Sequence, residues 1–431
     1  MKSPGEPAAV GAGAEDRKFS AAQVRVVWLL WATYGAFYFC RQNVAAAVPG
    51  LREELELSRA EIGTILGALK LAYGIGQFVN GQLAERIPAR VLLAIGMFGS
   101  AALNVLFGFG TGVYFLLFVW AANGYCQALG WTPTMRVASR WFGPEKRGRA
   151  VGFIGTGYQL AGAATFVVSG WAAGQFGWRA AHYIPAAILA AMGIVTLIWV
   201  REVPGDRAME RQASRSPDTG STPRPRWTET LWVTIANPRL WLIAIALAMV
   251  DATRYGFSDW GLAHIKEMQG GGVGVSALKY AVLPLGGMAG ALFAGYASDR
   301  WFGGRRVPVL VGLLLALGGL SVLYDAVVVT QPAIAVGLLA AIGLCIYGPQ
   351  VLLVGAAAMD IARAGRAVAA VGFVNLFGYL GAFAGDKVTG ELADAHGWQA
   401  AVYFWAGCAF VGAVVLLPLW RFTAARSSLP P

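Results

Sequence analysis

The sequence Tyr-Gly-Ala-Phe-Tyr-Phe-Cys-Arg-Gln-Asn-Val-Ala-Ala-Ala-Val-Pro at residues 34–49 places Arg41 inside a stretch that otherwise suits a lipid environment. A guanidinium group stays charged, and holding it at the centre of a bilayer costs roughly 2.5–3.5 kcal/mol on insertion scales. Tyr38 and Tyr34 precede Arg41 by about one and two helical turns, so a helix carries all three on one face. A second arginine, Arg254, lies in another apolar segment. We predict that the two arginines form a binding site for an anion.

The composition indicates a polytopic membrane protein. Hydrophobic residues make up 57% of the 431 residues and charged residues only 13%, which is too few to solvate the surface of a soluble globule. The formal net charge of +11 would suggest nucleic acid as a partner of a soluble chain, but here the basic residues cluster between apolar segments. We therefore expect a lipid bilayer as partner and no nucleic acid. The cysteines all lie in apolar segments without metal-site spacing, so no cofactor or metal is predicted: Cys40, Cys126, Cys345 and Cys408.

Twelve apolar segments approach the roughly 20 residues that a helix needs to span a bilayer. They lie near residues 24–48, 60–84, 90–110, 112–138, 149–174, 180–200, 238–264, 274–298, 306–329, 332–359, 367–392 and 398–421. We predict an all-α membrane protein with twelve transmembrane helices in two pseudo-symmetric six-helix bundles. The predicted divisions are an N-terminal tail, the first bundle, a flexible linker, the second bundle and a C-terminal tail, at residues 1–23, 24–200, 201–237, 238–421 and 422–431.

The distribution of basic residues predicts the orientation of these segments. Arginine and lysine are concentrated in the loops after segments two, four, eight and ten, whereas the opposite loops are acidic, as at Glu53 and Glu54. The positive-inside rule then places the basic loops, the linker and both termini in the cytoplasm. Residues 1–20 have no apolar core, so no cleavable signal peptide is expected. We predict a multi-pass protein of a bacterial inner membrane that acts as a monomer.

The two predicted bundles repeat each other in sequence. The tetrapeptide Ala-Val-Gly-Phe at residues 150–153 recurs 220 residues later, at 370–373. Arg41 and Arg254 are 213 residues apart, which is nearly the same register. We therefore expect the two arginines at equivalent positions on the first helix of each bundle, facing each other across a central cavity. Two such halves with a site at the midplane are typical of a transporter that alternates by a rocker-switch motion.

Several motifs connect the chain with known proteins. Gly-Gln-Leu-Ala-Glu-Arg and Gly-Tyr-Ala-Ser-Asp-Arg follow segments two and eight. Further motifs are Tyr-Phe-Cys-Arg-Gln-Asn from Tyr38, Ala-Tyr-Gly-Ile from Ala72, Gly-Trp-Thr-Pro from Gly130, Arg-Tyr-Gly-Phe-Ser-Asp-Trp from Arg254, Tyr-Gly-Pro from Tyr347 and Gly-Phe-Val-Asn-Leu-Phe-Gly-Tyr-Leu-Gly from Gly372. The first pair resembles the major facilitator superfamily. The others resemble its organophosphate:phosphate antiporter family of glycerol-3-phosphate and hexose-phosphate transporters.

This resemblance implies that Arg41 and Arg254 grip a phosphate group. The chemistry of the residues agrees, because two guanidinium forks from opposite sides suit a dianionic phosphoryl group. The alternative for Arg254 is that it only pairs with a nearby carboxylate, Asp251 or Asp259.

Two positions depart from the family pattern. A basic residue of the second helix is replaced by Gln77, and a histidine of the fifth helix is replaced by Tyr158. Lys70 lies two turns before Gln77 on the same face and is predicted to supply the missing cation from a shifted position. The alternatives for Lys70 are that it extends to the outer interface or pairs with Glu61.

Two further groups of polar residues have predicted roles. Asp386 and Lys387 are adjacent charges in segment eleven, with Asn375 about three turns inward, and we predict that they contact the variable end of the substrate. Anchoring the outer end of the helix is the alternative. Charged residues of the loops after segments two and eight are predicted to latch the cytoplasmic side: Glu85, Arg86, Asp299 and Arg300.

The sequence thus predicts a secondary transporter that exchanges an organic phosphate ester or phosphonate for inorganic phosphate. Two alternatives stay open. One is a proton-coupled symporter of an organic anion, a carboxylate or phosphonate, with Asp251 or Asp386 as the titrating group; the other is a membrane sensor of sugar phosphate that does not transport. An enzyme is not predicted, because the chain shows no nucleophile–base pair or phosphate-cradling loop, and the glycine-rich stretch at residues 270–274 follows a helix end like a turn.

Overall fold

A computed structural model of the chain describes residues 19–83, 87–203, 232–362 and 367–421. Six helices, α1 to α6, form the first half. Their bounds are Ala21–Phe37 and Val44–Leu55 for the two parts of α1, Arg59–Leu83 for α2, Ala89–Phe107 for α3, Val113–Gln127 and Trp131–Trp141 for α4, Pro144–Phe176 for α5 and Ala180–Trp199 for α6.

Six further helices, α7 to α12, form the second half. Their bounds are Pro238–Tyr255, Gly256–Trp260 and Gly261–Gln269 for α7, Val273–Tyr280 and Val282–Trp301 for α8, Arg306–Val327 for α9, Pro332–Val351, Leu352–Ala357 and Ala358–Ile361 for α10, Ala367–Ala395 for α11, and Trp398–Leu416 for α12. The predicted twelve-helix, all-α architecture is confirmed.

The internal repeat of the sequence is visible in the packing. In the first half α1 packs on α5, α2 on α4 and α3 on α6; in the second half α7 packs on α11, α8 on α10 and α9 on α12. The halves meet where α2 packs on α11 and where α5 packs on α8, and these contacts are again equivalent. Each half is therefore built in the same way, with the site between them.

Hydropathy distinguishes the first two helices from the rest. Within the described ranges, ten helices, α3 to α12, are long and apolar enough to cross a membrane by length and composition. Of the other two, α1 is divided into two shorter parts, and α2 carries polar side chains such as Lys70 and Gln77.

The helix ends define two sides of the molecule. Because the number of helices is even, α1 begins and α12 ends on one side, which we call the terminal side. α6 ends and α7 begins on the same side. The opposite face, where α1 meets α2, α7 meets α8 and α11 meets α12, is called the far side.

Candidate anion-binding site

Arg41 lies where α1 is interrupted. The first part of α1 ends at Phe37, a 3-10 turn covers Tyr38–Cys40, and the helix resumes at Val44. In this turn the backbone N–H of Arg41 donates to the carbonyl of Tyr38, at 3.1 Å, instead of that of Phe37. The interruption therefore frees carbonyl groups inside the bundle, where an unpaired polar group is costly.

Side-chain amides from α3 and α4 satisfy these carbonyl groups. Gln127 Nε2 donates to the Phe37 carbonyl at 3.0 Å, and Asn123 Nδ2 donates to the Cys40 carbonyl at 2.9 Å. Asn104 Nδ2 also reaches the Cys40 carbonyl, at 3.3 Å. These amides hold the interrupted helix in place and so fix the position of Arg41.

The Arg41 side chain is buried among aromatic rings. It is 7% exposed, and its guanidinium carbon lies 4.1 Å from the ring centre of Tyr73 and 5.1 Å from that of Tyr38. Its Nε atom has no hydrogen-bond partner, and within the described ranges no carboxylate lies at ion-pair distance from Arg41. In the described part of the chain, Arg41 is thus accompanied by cation–π contacts and by no ion pair.

Arg254 lies at the matching interruption of α7. The regular helix ends at Tyr255, and a π-helical segment follows over Gly256–Trp260. The hydroxyl of Tyr280, on α8, donates to the carbonyl of Phe257 within this segment. Short π segments like this one often occur at functional sites, because they change the direction in which side chains leave a helix.

The surroundings of Arg254 differ from those of Arg41 by one carboxylate. Arg254 Nη1 lies 3.6 Å from Asp251 Oδ1, and its guanidinium carbon lies 4.6 Å and 5.1 Å from the ring centres of Tyr255 and Tyr347. Of the two acids considered from the sequence, Asp251 is therefore the partner of Arg254, whereas Asp259 pairs elsewhere. A 3.6 Å contact leaves donor positions of the guanidinium unused, and Nε has no partner.

A set of tyrosine rings connects the two arginines. Tyr38 stacks on Tyr158 with ring centres 5.0 Å apart, and Tyr158 lies 6.4 Å from Tyr347 of the second half. The Arg41 guanidinium carbon lies 5.1 Å from the ring centre of Tyr38, and that of Arg254 lies 5.1 Å from the ring centre of Tyr347, so these rings extend from one arginine to the other. The predicted pair of arginines thus lies in one buried environment. The ring of Tyr34 adjoins this set of rings; its centre lies 6.0 Å from that of Tyr38 and 6.1 Å from that of Tyr158.

Lys70 is placed differently from the sequence-based alternatives. It neither extends to the outer interface nor pairs with Glu61, whose carboxylate accepts hydrogen bonds from the backbone and hydroxyl of Ser58. Lys70 is 2% exposed and forms ion pairs with Asp259 and with Asp386, the latter at 2.7 Å. Its ammonium group is therefore already neutralised in this conformation, so a role as the missing cation requires that these pairs open.

The remaining predicted substrate contacts lie apart from one another. Lys387 points away from its neighbour Asp386; it is half exposed and lies 3.8 Å from Glu391 on the same helix. Asn375 is partly buried, and its amide donates to the backbone carbonyl of Val371, one turn earlier on α11. Gln77 is also partly buried, and it accepts a hydrogen bond from Thr132 on α4 at 3.4 Å.

Two of the four residues of the predicted terminal-side latch lie in the described ranges. Asp299 pairs with Arg306, at 2.6 Å, inside the second half, and Arg300 is exposed at the end of α8. Glu85 and Arg86 lie outside the described residues. In the part of the chain that the structure describes, no group of three or more His, Cys, Asp or Glu side chains is arranged to hold a metal ion.

Sequence reasoning missed two features of this region. Tyr255 was not singled out, although it follows Arg254 directly and its ring also lies 4.9 Å from Lys70 Nζ. The joint partnership of Asp259 and Asp386 with Lys70 was also missed. Its signal in the sequence is weak: each of these charges interrupts an apolar helix, but the three come together only when the two halves are assembled.

Comparison with known proteins agrees with this architecture. The profile of the Major Facilitator Superfamily matches residues 30–385. The membrane sensor protein UhpC of Escherichia coli (strain K12) is 28% identical over 427 residues, which cover 96% of this chain and 95% of that protein. The glycerol-3-phosphate transporter of Bacillus subtilis (strain 168) is 29% identical over 426 residues, which cover 94% of this chain and 95% of that protein.

Solved structures share the fold. The structure of a bacterial homolog to the human lysosomal transporter Spinster, in an inward-facing and occupied conformation, superposes with a TM-score of 0.71 at 16% identity, over 93% of this chain and 96% of that one. At this identity the likeness concerns the fold alone. The relatives, in contrast, confirm the predicted resemblance to the organophosphate:phosphate antiporter family.

Proposed function

Because the chain belongs to the Major Facilitator Superfamily and buries an arginine at the same point of α1 and of α7, we propose that it exchanges an organic phosphate ester or phosphonate for inorganic phosphate. The observation that carries this proposal is the arginine pair, Arg41 and Arg254. One of the two has no carboxylate partner in the described ranges, and the other has a single, loose one. An anion between the halves accepts charge-assisted hydrogen bonds from both guanidinium groups.

The charges of the site favour a phosphoryl group. Two guanidinium groups and the carboxylate of Asp251 leave one net positive charge in a buried space, which a phosphate anion balances or exceeds. The three oxygens of a phosphoryl group accept from two forks at once, whereas a carboxylate satisfies one fork well. The relative named as a glycerol-3-phosphate transporter supports a phosphate ester as substrate.

The position of the site explains how binding drives the transport cycle. Arg41 belongs to the first half and Arg254 to the second, so an anion bound to both draws the halves together and lowers the barrier between the two open states. In this proposal the terminal side faces the cytoplasm of a bacterial cell, and the protein works as a monomer in the inner membrane. Glu85, Arg86, Asp299 and Arg300 then latch that side after Asp299 leaves Arg306.

Phosphate counterflow in proteoliposomes tests this proposal. Vesicles are loaded with unlabelled phosphate, and the uptake of labelled phosphate is compared for the wild type, Arg41→Lys and Arg254→Lys. Each lysine keeps the charge but loses the bidentate fork, so we expect exchange to fall by at least about 100-fold. Arg179→Lys is the matched control, because Arg179 pairs with Glu54 inside the first half, away from the site. Full exchange in either site variant contradicts the proposal.

A sensor is the second candidate, because one relative of nearly equal length is named a membrane sensor protein. A sensor binds the phosphate ester at the same arginines without carrying it across the membrane. Calorimetric titration with glycerol-3-phosphate and glucose 6-phosphate separates the two functions: binding that depends on Arg41, with no counterflow by the same preparation, favours the sensor.

Uptake that requires a proton gradient and no internal phosphate instead favours the proton-coupled symporter.

A further inference from the structure

The ion pairs that join the two halves share one polarity. Five such pairs occur in the described ranges, and in each of them the first half supplies the cation and the second half supplies the carboxylate. The cations are Arg52, Arg59 and Lys70, and the carboxylates are Glu267, Asp394, Asp259 and Asp386. All of them lie on the far side of the two arginines along their helices. By contrast, Arg306 and Asp299 on the terminal side pair within one half.

An outer layer of these pairs lies at the far rim. The carboxylate of Glu267, near the end of α7, forms ion pairs with Arg52 at 2.9 Å and with Arg59 at 2.5 Å. Arg59 also reaches Asp394, near the end of α11, at 3.4 Å, and the Trp398 indole donates to Glu267 at 2.8 Å. The four charged side chains are 17% to 32% exposed, so water and salt weaken each of these pairs.

An inner layer lies between this rim and the anion site. Lys70, on α2, is about one turn nearer the far side than Tyr73, which contacts Arg41. Its ammonium group is enclosed by Asp259 from α7 and Asp386 from α11, and the three side chains are 0% to 4% exposed. Two carboxylates thus share one buried cation. Such a group depends on its cation, because each carboxylate left buried without a partner is strongly unfavourable.

The backbones also meet closely at these two layers. A Cβ atom on Gly63 of α2 would lie 2.5 Å from the Asp386 carbonyl oxygen, and one on Gly390 of α11 would lie 2.2 Å from the Arg59 carbonyl oxygen. Only glycine permits this approach of the two helices. The ion pairs therefore form across a closed seam between the halves.

We infer that Lys70, Asp259 and Asp386 form an electrostatic latch that holds the far side of the transporter closed, with the rim pairs as a weaker second layer. Opening of the far side separates α2 from α7 and α11 and therefore breaks both buried ion pairs of Lys70. The latch adjoins the anion site through one ring, since Tyr255 lies 4.6 Å from the Arg254 guanidinium carbon and 4.9 Å from Lys70 Nζ. These are gating residues on the side opposite to the latch predicted from the sequence.

Distances between spin labels on the far side test this inference. Thr111 and Thr330 are exposed residues of the equivalent loops that join α3 to α4 and α9 to α10, and neither takes part in the latch. Both are changed to cysteine for labelling after Cys40, Cys126, Cys345 and Cys408 have been replaced by alanine. Electron–electron double resonance then gives the distribution of distances between the halves in lipid nanodiscs without substrate. This measurement does not depend on exchange activity, so it separates failure of the latch from failure of the proposed function.

The latch predicts a graded series of results. In Lys70→Met the two carboxylates lose their cation, and we expect the population with an open far side to rise at least about tenfold. Arg59→Gln, which removes exposed rim pairs, is expected to raise it less than about fivefold. Arg179→Gln, which removes a far-side ion pair within one half, is the control and should leave the distribution unchanged.

A triple variant distinguishes a latch from a general packing defect. Lys70→Met combined with Asp259→Asn and Asp386→Asn removes the latch without leaving an unpaired charge, so the open population is expected to be smaller than in Lys70→Met but larger than in the wild type. Wild-type distances in a monodisperse Lys70→Met protein overturn the inference. A triple variant as open as Lys70→Met indicates a packing defect and also overturns the inference. If Lys70→Met does not fold, the triple variant decides, and wild-type distances in it overturn the inference.

Discussion

The interruptions of α1 and α7 adjoin equivalent arginines and are stabilised by different means. In α1 the freed carbonyl groups of Phe37 and Cys40 are bonded by side-chain amides from neighbouring helices, and Arg41 has no carboxylate nearby in the described ranges. In α7 the Phe257 carbonyl of the π-helical segment accepts the backbone N–H of Gly261, and Asp251 accompanies Arg254. The same charge is thus held as a bare cation in one half and as a loose ion pair in the other. This difference predicts unequal responses to equal substitutions.

The largest difference is expected between Arg41→Met and Arg254→Met. Removing Arg254 leaves the Asp251 carboxylate buried without a cation, and we expect a loss of about 3–5 kcal/mol in the free energy of unfolding. Removing Arg41 leaves no such charge behind, so its variant should be as stable as the wild type or more stable. Phosphate exchange should be lost in both. Urea or thermal unfolding in detergent, followed by tryptophan fluorescence, measures the difference.

The double variant Arg254→Met with Asp251→Asn is the control for this comparison. It removes the orphaned charge, so it should regain most of the lost stability without regaining exchange. Equal destabilisation by the two single variants would show that the two arginines are held in the same way after all.

A smaller effect is expected when the amide support of α1 is removed. Gln127→Leu leaves the Phe37 carbonyl, buried in the bundle, without its side-chain donor, which should reduce stability by about 1–3 kcal/mol. Because Arg41 follows in the same turn, half-saturation of phosphate exchange should also move to higher phosphate concentration. Gln159→Leu is the matched control, since Gln159 is 2% exposed and its Nε2 atom has no partner. A Gln127→Leu protein as stable as this control would contradict the capping role.

The sequence was sufficient for everything that depends on periodicity. Hydropathy gave the twelve helices, the repeat gave the two halves, and register gave the equivalence of Arg41 and Arg254. It did not show that both helices are interrupted at these arginines, because a helical wheel assumes a continuous helix. Tyr38 nevertheless lies beside Arg41, since a 3-10 turn keeps residues three apart on one face.

Contacts between the halves were not accessible in the same way. Lys70 was assigned to the cavity, the interface or Glu61, all of which follow from its own helix, whereas its partners come from α7 and α11. Asp259 is, from the sequence, one of two alternative partners of Arg254, because it is close to Arg254 along the chain. Local spacing constrains which face of a helix a charge occupies. The partner of that charge in the other half depends on how the two bundles dock against each other in a given conformation. The spacing of residues along one helix carries no information about this docking.

The next prediction concerns the carboxylate that distinguishes the two arginines. Asp251→Asn removes the negative charge 3.6 Å from Arg254 and makes the second half resemble the first. We expect phosphate to bind about tenfold more tightly, because the added anion no longer competes with a fixed one for the guanidinium. Calorimetric titration with inorganic phosphate measures this, and Asp251→Glu, which keeps the charge, is the control. Weaker binding would mean that Asp251 orients Arg254 for the anion instead of competing with it.

The smallest effect is expected at the support of the α7 interruption. Tyr280→Phe removes the hydroxyl that donates to the Phe257 carbonyl but keeps the ring, which packs edge-on against Phe166. The same carbonyl also accepts the backbone N–H of Gly261, so the substitution leaves it partly bonded. We expect a loss of about 0.5–1.5 kcal/mol in unfolding, smaller than that of Gln127→Leu measured under the same conditions. If Tyr280→Phe is the more damaging of the two, the π-helical segment is not supported by its own backbone bonds, and both arginines depend on side chains from a neighbouring helix.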